Sequence, residues 1–232
     1  MAPMIINKVF SKSILNKSGI TDYAVNCYVG CQHNCVYCYA RFMKKFTHHK
    51  EKWGTFVDVK INAAEVLENQ LQKINCSKEV MMSSVCDGWQ QQEEHFKLSR
   101  KCLELLLKAS KSTVSILTKN ALIKRDFDIV ENFRDRVNIG CTITTVDEAL
   151  RTLIEPCSST TDERFGILRE AAQRRLKTYV FIGPLIPGFS DIKENLHSIF
   201  KTLSSLNVSK IYVDKLNYFN PFRRNPRSLD RG

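Results

Sequence analysis

The chain has 232 residues, 43% hydrophobic and 25% charged, and 35 Lys and Arg against 24 Asp and Glu give it a net charge of +11. That describes an ordinary soluble globular chain, most simply a single domain, and the positive excess favours polyanionic partners without requiring them. The longest apolar run, Tyr179 to Ile186, is too short to cross a bilayer, and the N-terminus lacks an apolar export segment, so the expectation is a cytoplasmic protein with no membrane role.

In chain order, residues 1–20 read as an irregular N-terminal arm with one short strand. Tyr23 to Val29 is the first core strand, and Gly30 turns the backbone sharply into a cysteine-rich loop. Arg41 to Trp53 then interleaves Lys44, Lys45, Lys50 and Lys52 with Phe42, Phe46 and Trp53. Such mixing can grip phosphate and stack on bases. The plainer expectation is a solvated helix face with its aromatics turned to the core.

From Ala63 helices and strands alternate. Leu67, Leu71 and Ile74 share a helical face, and Val80 to Val85 is a strand. His95, Leu98, Cys102, Leu103 and Leu106 form one amphipathic stripe. Strands follow at Val114 to Leu117, Val137 to Thr144, Thr178 to Ile182 and Lys210 to Leu216. The helices between them are marked by Phe127, Val130 and Phe133, by Val146, Leu150 and Leu153, by Phe165, Leu168, Ala172 and Leu176, and by Ile192, Leu196, Ile199, Leu203 and Leu206. Six apolar strands separated by helices imply a six-stranded parallel sheet with right-handed crossovers. Six units fall short of the eight in a closed barrel. The fold class is therefore α/β, a partial (β/α)6 TIM-like barrel over residues 21–216 with helices outside. Residues 217–232 form a basic tail carrying Arg223, Arg224, Arg227 and Arg231 in place of a sixth helix.

The chemistry concentrates in Asn26 to Arg41, N-C-Y-V-G-C-Q-H-N-C-V-Y-C-Y-A-R. Cys31, Cys35 and Cys38 are spaced C-x3-C-x2-C. Thiolates favour iron–sulfur clusters, zinc or Cu(I). Three of them can hold three corners of a 4Fe–4S cluster and leave the fourth iron open to a substrate. Zinc would need a fourth ligand from Cys27, His33, His48 or His49, but zinc modules mostly pair two near ligands with two distant ones. Cys27 either points into the end of the first strand or closes the site as a fourth ligand.

This spacing, with Tyr37 before the third cysteine, resembles the radical S-adenosylmethionine superfamily, and N-x-Y-x-G-C-x-H-x-C-x-Y-C-Y-A-R is similar to its spore photoproduct lyase-like branch. The resemblance implies a partial barrel, a 4Fe–4S cluster, S-adenosylmethionine and a one-electron donor of flavodoxin or ferredoxin type. It places Lys119, in T-K-x-x-L-I-x-R-D, near the cofactor carboxylate. Thr142 is placed as a hydroxyl partner, and the backbone at Tyr37 and from Ile182 to Pro184 along the adenine. Glu155 and Arg164 match the branch too, as an expected ion pair or cap.

The second strand departs from the branch, reading C-D-G-W-Q-Q-Q-E from Cys86 to Glu93. Where the lyase that names the branch has its hydrogen-donating cysteine, this chain has Ser84. Cys86, two residues on and thus on the same strand face, is the candidate hydrogen donor, or else a small buried residue. The expected activity is reductive cleavage of S-adenosylmethionine to a 5′-deoxyadenosyl radical that abstracts hydrogen. Charge and branch lean toward a nucleic-acid lesion, with a peptide or other macromolecule as the alternative. The competing class is an iron–sulfur electron-transfer or nucleic-acid-binding module without turnover, its open iron blocked by Cys27.

Overall fold

A computed structural model describes residues 4–73 and 77–217; Ile74 and the tail from 218 onward lie outside the described residues. The strands are β1 (Ile5–Val9), β2 (Leu15–Lys17), β3 (Tyr23–Val25), β4 (Tyr28–Val29), β5 (Phe56–Lys60), β6 (Glu79–Met82), β7 (Thr113–Thr118), β8 (Val137–Ile143), β9 (Lys177–Leu185) and β10 (Lys210–Lys215). The helices are α1 (Ala63–Leu71), α2 (Gln92–Phe96), α3 (Leu98–Ala109), α4 (Phe127–Glu131), α5 (Glu148–Ile154), α6 (Thr161–Gln173) and α7 (Lys193–Leu203). A seven-stranded sheet runs β10-β9-β8-β7-β6-β3-β2. Its first six members pair in parallel, and β2 adds an antiparallel edge to β3. The six strands read from the sequence are these six.

Alternation along each strand explains the layers. Val80, Met82, Val114, Ile116, Ile139, Cys141, Val180 and Ile182 are fully buried on the helix-facing side. Burying each large aliphatic side chain contributes about 1.5–3 kcal/mol. The opposite, inner face is more open, and Ser115, Leu117, Tyr179 and Phe181 on it are only half-buried. Gly140 is required there, because the Tyr179 ring occupies the space a Cβ would take. The Tyr179 hydroxyl donates to the Ile116 carbonyl at 2.8 Å, which lays the ring across β7 to β9 as a floor.

Four local expectations are corrected. The N-terminal arm carries two strands, since β1 joins a second sheet, β1-β5-β4, that the sequence pattern did not reveal. The first core strand breaks after Val25 and its continuation, β4, crosses into that small sheet. The stripe beginning at His95 is two helices jointed at Lys97, whose φ is 52°. Glu93 causes that joint: its carboxylate accepts the amides of Ser99 at 2.9 Å and Arg100 at 3.0 Å and so caps α3, which leaves His95 exposed. Leu153 is likewise exposed, at 73%, and α5 buries Arg151 and Ile154 instead.

Candidate functional site

The cysteine loop leaves β4 at Gly30, where φ is +88° and a Cβ would overlap the Phe56 carbonyl, so only glycine fits. Two tight turns follow, with the Asn34 amide on the Cys31 carbonyl at 3.3 Å and the Cys38 amide on the Cys35 carbonyl at 3.2 Å. Cys31 and Cys35 are buried at 8% exposure and Cys38 is half-buried, so the loop presents its thiols inward. Burial pushes the Cys31 thiol well up, helped by the Asp87 charge. It pushes Cys35 to about 12 against the pull of Lys119. A metal at these sulfurs must therefore displace protons. Among the described residues no three His, Cys, Asp or Glu side chains converge as tightly as one ion requires.

The segment from Cys86 to Glu93 is the brace of that loop. Asp87 accepts from His33 Nε2 at 2.9 Å, Thr118 Oγ1 at 2.8 Å, the Lys119 amide at 2.7 Å and the Trp89 amide at 2.9 Å. Although burial opposes ionisation, His33 and these amides hold the Asp87 carboxyl down to about 2. The other His33 nitrogen faces the Cys157 carbonyl at 3.0 Å. Gln90, fully buried, accepts the Gln32 amide at 2.8 Å and donates to the Gly30 carbonyl at 3.2 Å. Asn26 joins the ends of β3 and β6, accepting the Val85 amide at 3.2 Å and donating to Ser84 Oγ at 3.1 Å.

A second network holds the loop from the β8 side. The Tyr37 hydroxyl donates to Glu155, which also accepts Thr144 Oγ1 at 2.7 Å and pairs with Arg164. Glu155 is fully buried; burial opposes its charge, but Arg164 and Lys119 hold its carboxyl at about 2. Arg164 also donates to the Thr142 carbonyl at 3.2 Å. The ion pair expected of Glu155 and Arg164 is present, and it carries the Tyr37 anchor as well.

The remaining sequence candidates divide. Lys119 holds its ammonium 5.7 Å from the Tyr37 ring centroid. Burial would lower its pKa, yet Cys35 and Glu155 raise it, so a cation faces the cysteine loop. Thr142 is buried at 2% exposure, and its hydroxyl has no hydrogen bond among the described residues. Gly183 accepts Thr144 Oγ1 at 3.0 Å and Pro184 accepts Ser190 Oγ at 3.2 Å, each carbonyl keeping a second lone pair.

Two placements differ from expectation, while Cys27 takes the packed one of its two alternatives. β6 ends at Met82 and Ser83 has a φ of 71°, so the strand-face equivalence of Ser84 and Cys86 does not apply. The Cys86 thiol instead donates to the Tyr28 carbonyl at 3.4 Å, and burial pushes it to about 12. Cys27 is 1% exposed within the main core, and its pKa is raised first by a hydrogen bond to Cys102 and then by burial. It packs into the main core, whereas Cys31 belongs to the separate apolar group with Ala40, Trp53 and Phe56. Finally, the basic turn is a 3₁₀ helix, Tyr39–Phe46, with Trp53 buried but Phe46 68% exposed under the Lys45 ammonium. An open groove of about 700 Å³ beside it is lined by Arg41, Phe42, Lys44, Lys45, Thr47 and His49. Sequence reasoning named neither Asn26 nor Trp53 individually as a site residue, because each acts through neighbours that only the fold supplies.

The Radical SAM superfamily description matches residues 25–199, and the chain belongs to that superfamily. It is 36% identical over 190 residues to an uncharacterised protein of Methanocaldococcus jannaschii, covering 81% of this chain and 70% of that one. In fold it is similar to spore photoproduct lyase complexed with dinucleoside spore photoproduct, with a TM-score of 0.72 at 14% identity. That match covers 93% of this chain and 63% of the lyase, and another structure of the lyase, a mutant, carries bound AdoMet. SuiB of Streptococcus suis bound to precursor peptide SuiA is more distant, with a TM-score of 0.57 at 12% identity over 94% of this chain and 40% of that one. No described helix is long and apolar enough to cross a membrane.

Proposed function

We propose that this chain is a radical S-adenosylmethionine enzyme that holds a 4Fe–4S cluster through Cys31, Cys35 and Cys38. The observation that carries the reading is the separation of Cys27 from the loop: three thiols are presented and the fourth candidate packs against Cys102 in the main core. When bound, the cluster supplies the electron that reductively cleaves S-adenosylmethionine, giving methionine and a 5′-deoxyadenosyl radical that removes hydrogen from the substrate.

The chain's own residues do the positioning. Lys119 offers its ammonium to the methionyl carboxylate, held over Tyr37 with the Glu155 carboxylate's charge favouring it. The unpaired Thr142 hydroxyl and the free lone pairs at Gly183 and Pro184 suit the nucleoside. Asp87 and Glu155 fix the loop from its two sides, so little rearrangement is needed on binding. Cys86 donates its thiol hydrogen to a carbonyl and sits at the Asn26 junction, which fits a small packing residue better than a hydrogen donor.

For the substrate, the reading is a nucleic-acid lesion, supported by the charge of +11 and by likeness to a lyase solved with a dinucleoside photoproduct. The exposed turn with Lys44 and Lys45, next to Cys38, suits an acidic one-electron donor of flavodoxin or ferredoxin type. The test is anaerobic incubation of the reconstituted protein with dithionite and S-adenosylmethionine, with and without damaged DNA. Release of 5′-deoxyadenosine, abolished in Cys38→Ala, is expected; a reducible cluster that releases none identifies a carrier instead.

A further inference from the structure

Trp53 carries the one side-chain nitrogen or oxygen among the described residues that is both wholly shielded from solvent at the atom and without a hydrogen-bond partner, its indole Nε1. Buried polar groups are almost always paired, and leaving an N–H unpaired is costly. The side chain is 7% exposed and stands edge-on to Phe56, with ring centroids 5.8 Å apart. Its apolar group also contains Cys31 and Ala40, with Cys38 and Met43 packed against it. The other tryptophan does not share this state, since Trp89 Nε1 donates to Asp126 at 2.8 Å.

The position of the indole is set by the cysteine loop itself. Gly54, the next residue, has a φ of +95°, and the Asn34 side chain fills the space where its Cβ would be. Asn34 lies between Cys31 and Cys35 and is itself left-handed, with φ 52°. The loop therefore clamps the Trp53–Gly54 segment, and a donor without an acceptor is held among two of the three thiol-bearing residues. Nothing in the packing requires an N–H there, since a phenyl ring would meet the same apolar neighbours.

We propose that Trp53 Nε1–H is a hydrogen-bond donor to a sulfur of the bound cluster and so sets its reduction potential; this rests on the cluster reading above. Hydrogen bonds to cluster sulfurs are an established control on potential, and outer partners of a metal site orient and tune it. The sign follows from charge. Reduction adds an electron to an anionic cluster, so a donor at its sulfur stabilises the reduced form more than the oxidised one. Trp53 is a positioning and tuning residue, and it takes no part in hydrogen abstraction.

The test uses reconstituted holoprotein and reads the cluster directly. In protein labelled with ¹⁵N at the indole nitrogens, the reduced cluster's electron–nuclear double resonance spectrum should show one coupled ¹⁵N–H whose proton exchanges in D₂O. Site-specific replacement of Trp53 by its benzothienyl analogue, which keeps the bicyclic ring and lacks the N–H, should abolish that signal and move the midpoint potential negative. Trp53→Phe should move it in the same direction. An unchanged potential and no coupled indole proton overturn the proposal while leaving the cluster reading intact. A protein that takes up no iron overturns both.

Discussion

The two ends of the parallel sheet are built to opposite standards. Away from β10 the cysteine loop is fixed by buried side chains, with Asp87 and Gln90 on one flank and Glu155 and Arg164 on the β8 side. At the β10 end all six strand residues are exposed, among them Ile211 at 42%, Tyr212 at 48% and Val213 at 54%. Buried polar groups brace the cysteine loop, and among the described residues β10 pairs with no strand but β9. On the function proposed above, the cofactor belongs at the braced end, and the open end and half-buried inner face are left for the substrate.

Substitutions should break the two ends very unequally. Glu155→Gln leaves Arg164 buried without its partner and Tyr37 without its carboxylate, and should cost about 3–5 kcal/mol in urea unfolding of the apoprotein. A loss under about 1 kcal/mol would mean that the pair is not buried as described. Asp87→Asn turns an acceptor of four donors into a group with its own N–H donors. It should cost about 2–3 kcal/mol and lower the iron bound per chain.

The same carboxylates give the contrast a pH signature. Both have folded pKa values of about 2, below their ordinary values of 3.8 and 4.5. Their contribution is therefore complete above the unfolded carboxylate range and is lost as pH falls from about 4.5 toward about 2. Urea midpoints measured from pH 5 to 3 should fall steeply in wild type and less steeply in Asp87→Asn. Gly30→Ala, with its φ of +88° and its Cβ against the Phe56 carbonyl, should cost about 1–3 kcal/mol and distort the loop entry. At the other end Val213→Thr, on an exposed edge strand, should change stability by less than about 0.5 kcal/mol.

The legible parts of this molecule were those written in local pattern. Six runs of apolar residues became six parallel strands, and Cys31, Cys35 and Cys38 announced themselves by spacing and by Tyr37. The small sheet was illegible because β5 pairs with β1 and β4 from distant sequence. The helix joint at Lys97 was hidden by a stripe that ran straight through it, and Glu93 as the cap is visible only once α3 is in place. The segment Cys86 to Glu93 could be seen to depart from the branch, but not what Asp87, Gln90 and Glu93 do. They are the struts of a loop more than fifty residues earlier in the chain. The inference from Ser84 to Cys86 failed for a local reason, the left-handed backbone at Ser83.

The central claim is an iron without a protein ligand, and Mössbauer spectroscopy of the ⁵⁷Fe-reconstituted, air-free protein tests it most directly. With about four irons per chain on three thiolates, adding S-adenosylmethionine should change the isomer shift of a single iron site and leave the others alone, in Cys27→Ala as in wild type. A spectrum unmoved by S-adenosylmethionine, with every iron already fully ligated, would contradict the account.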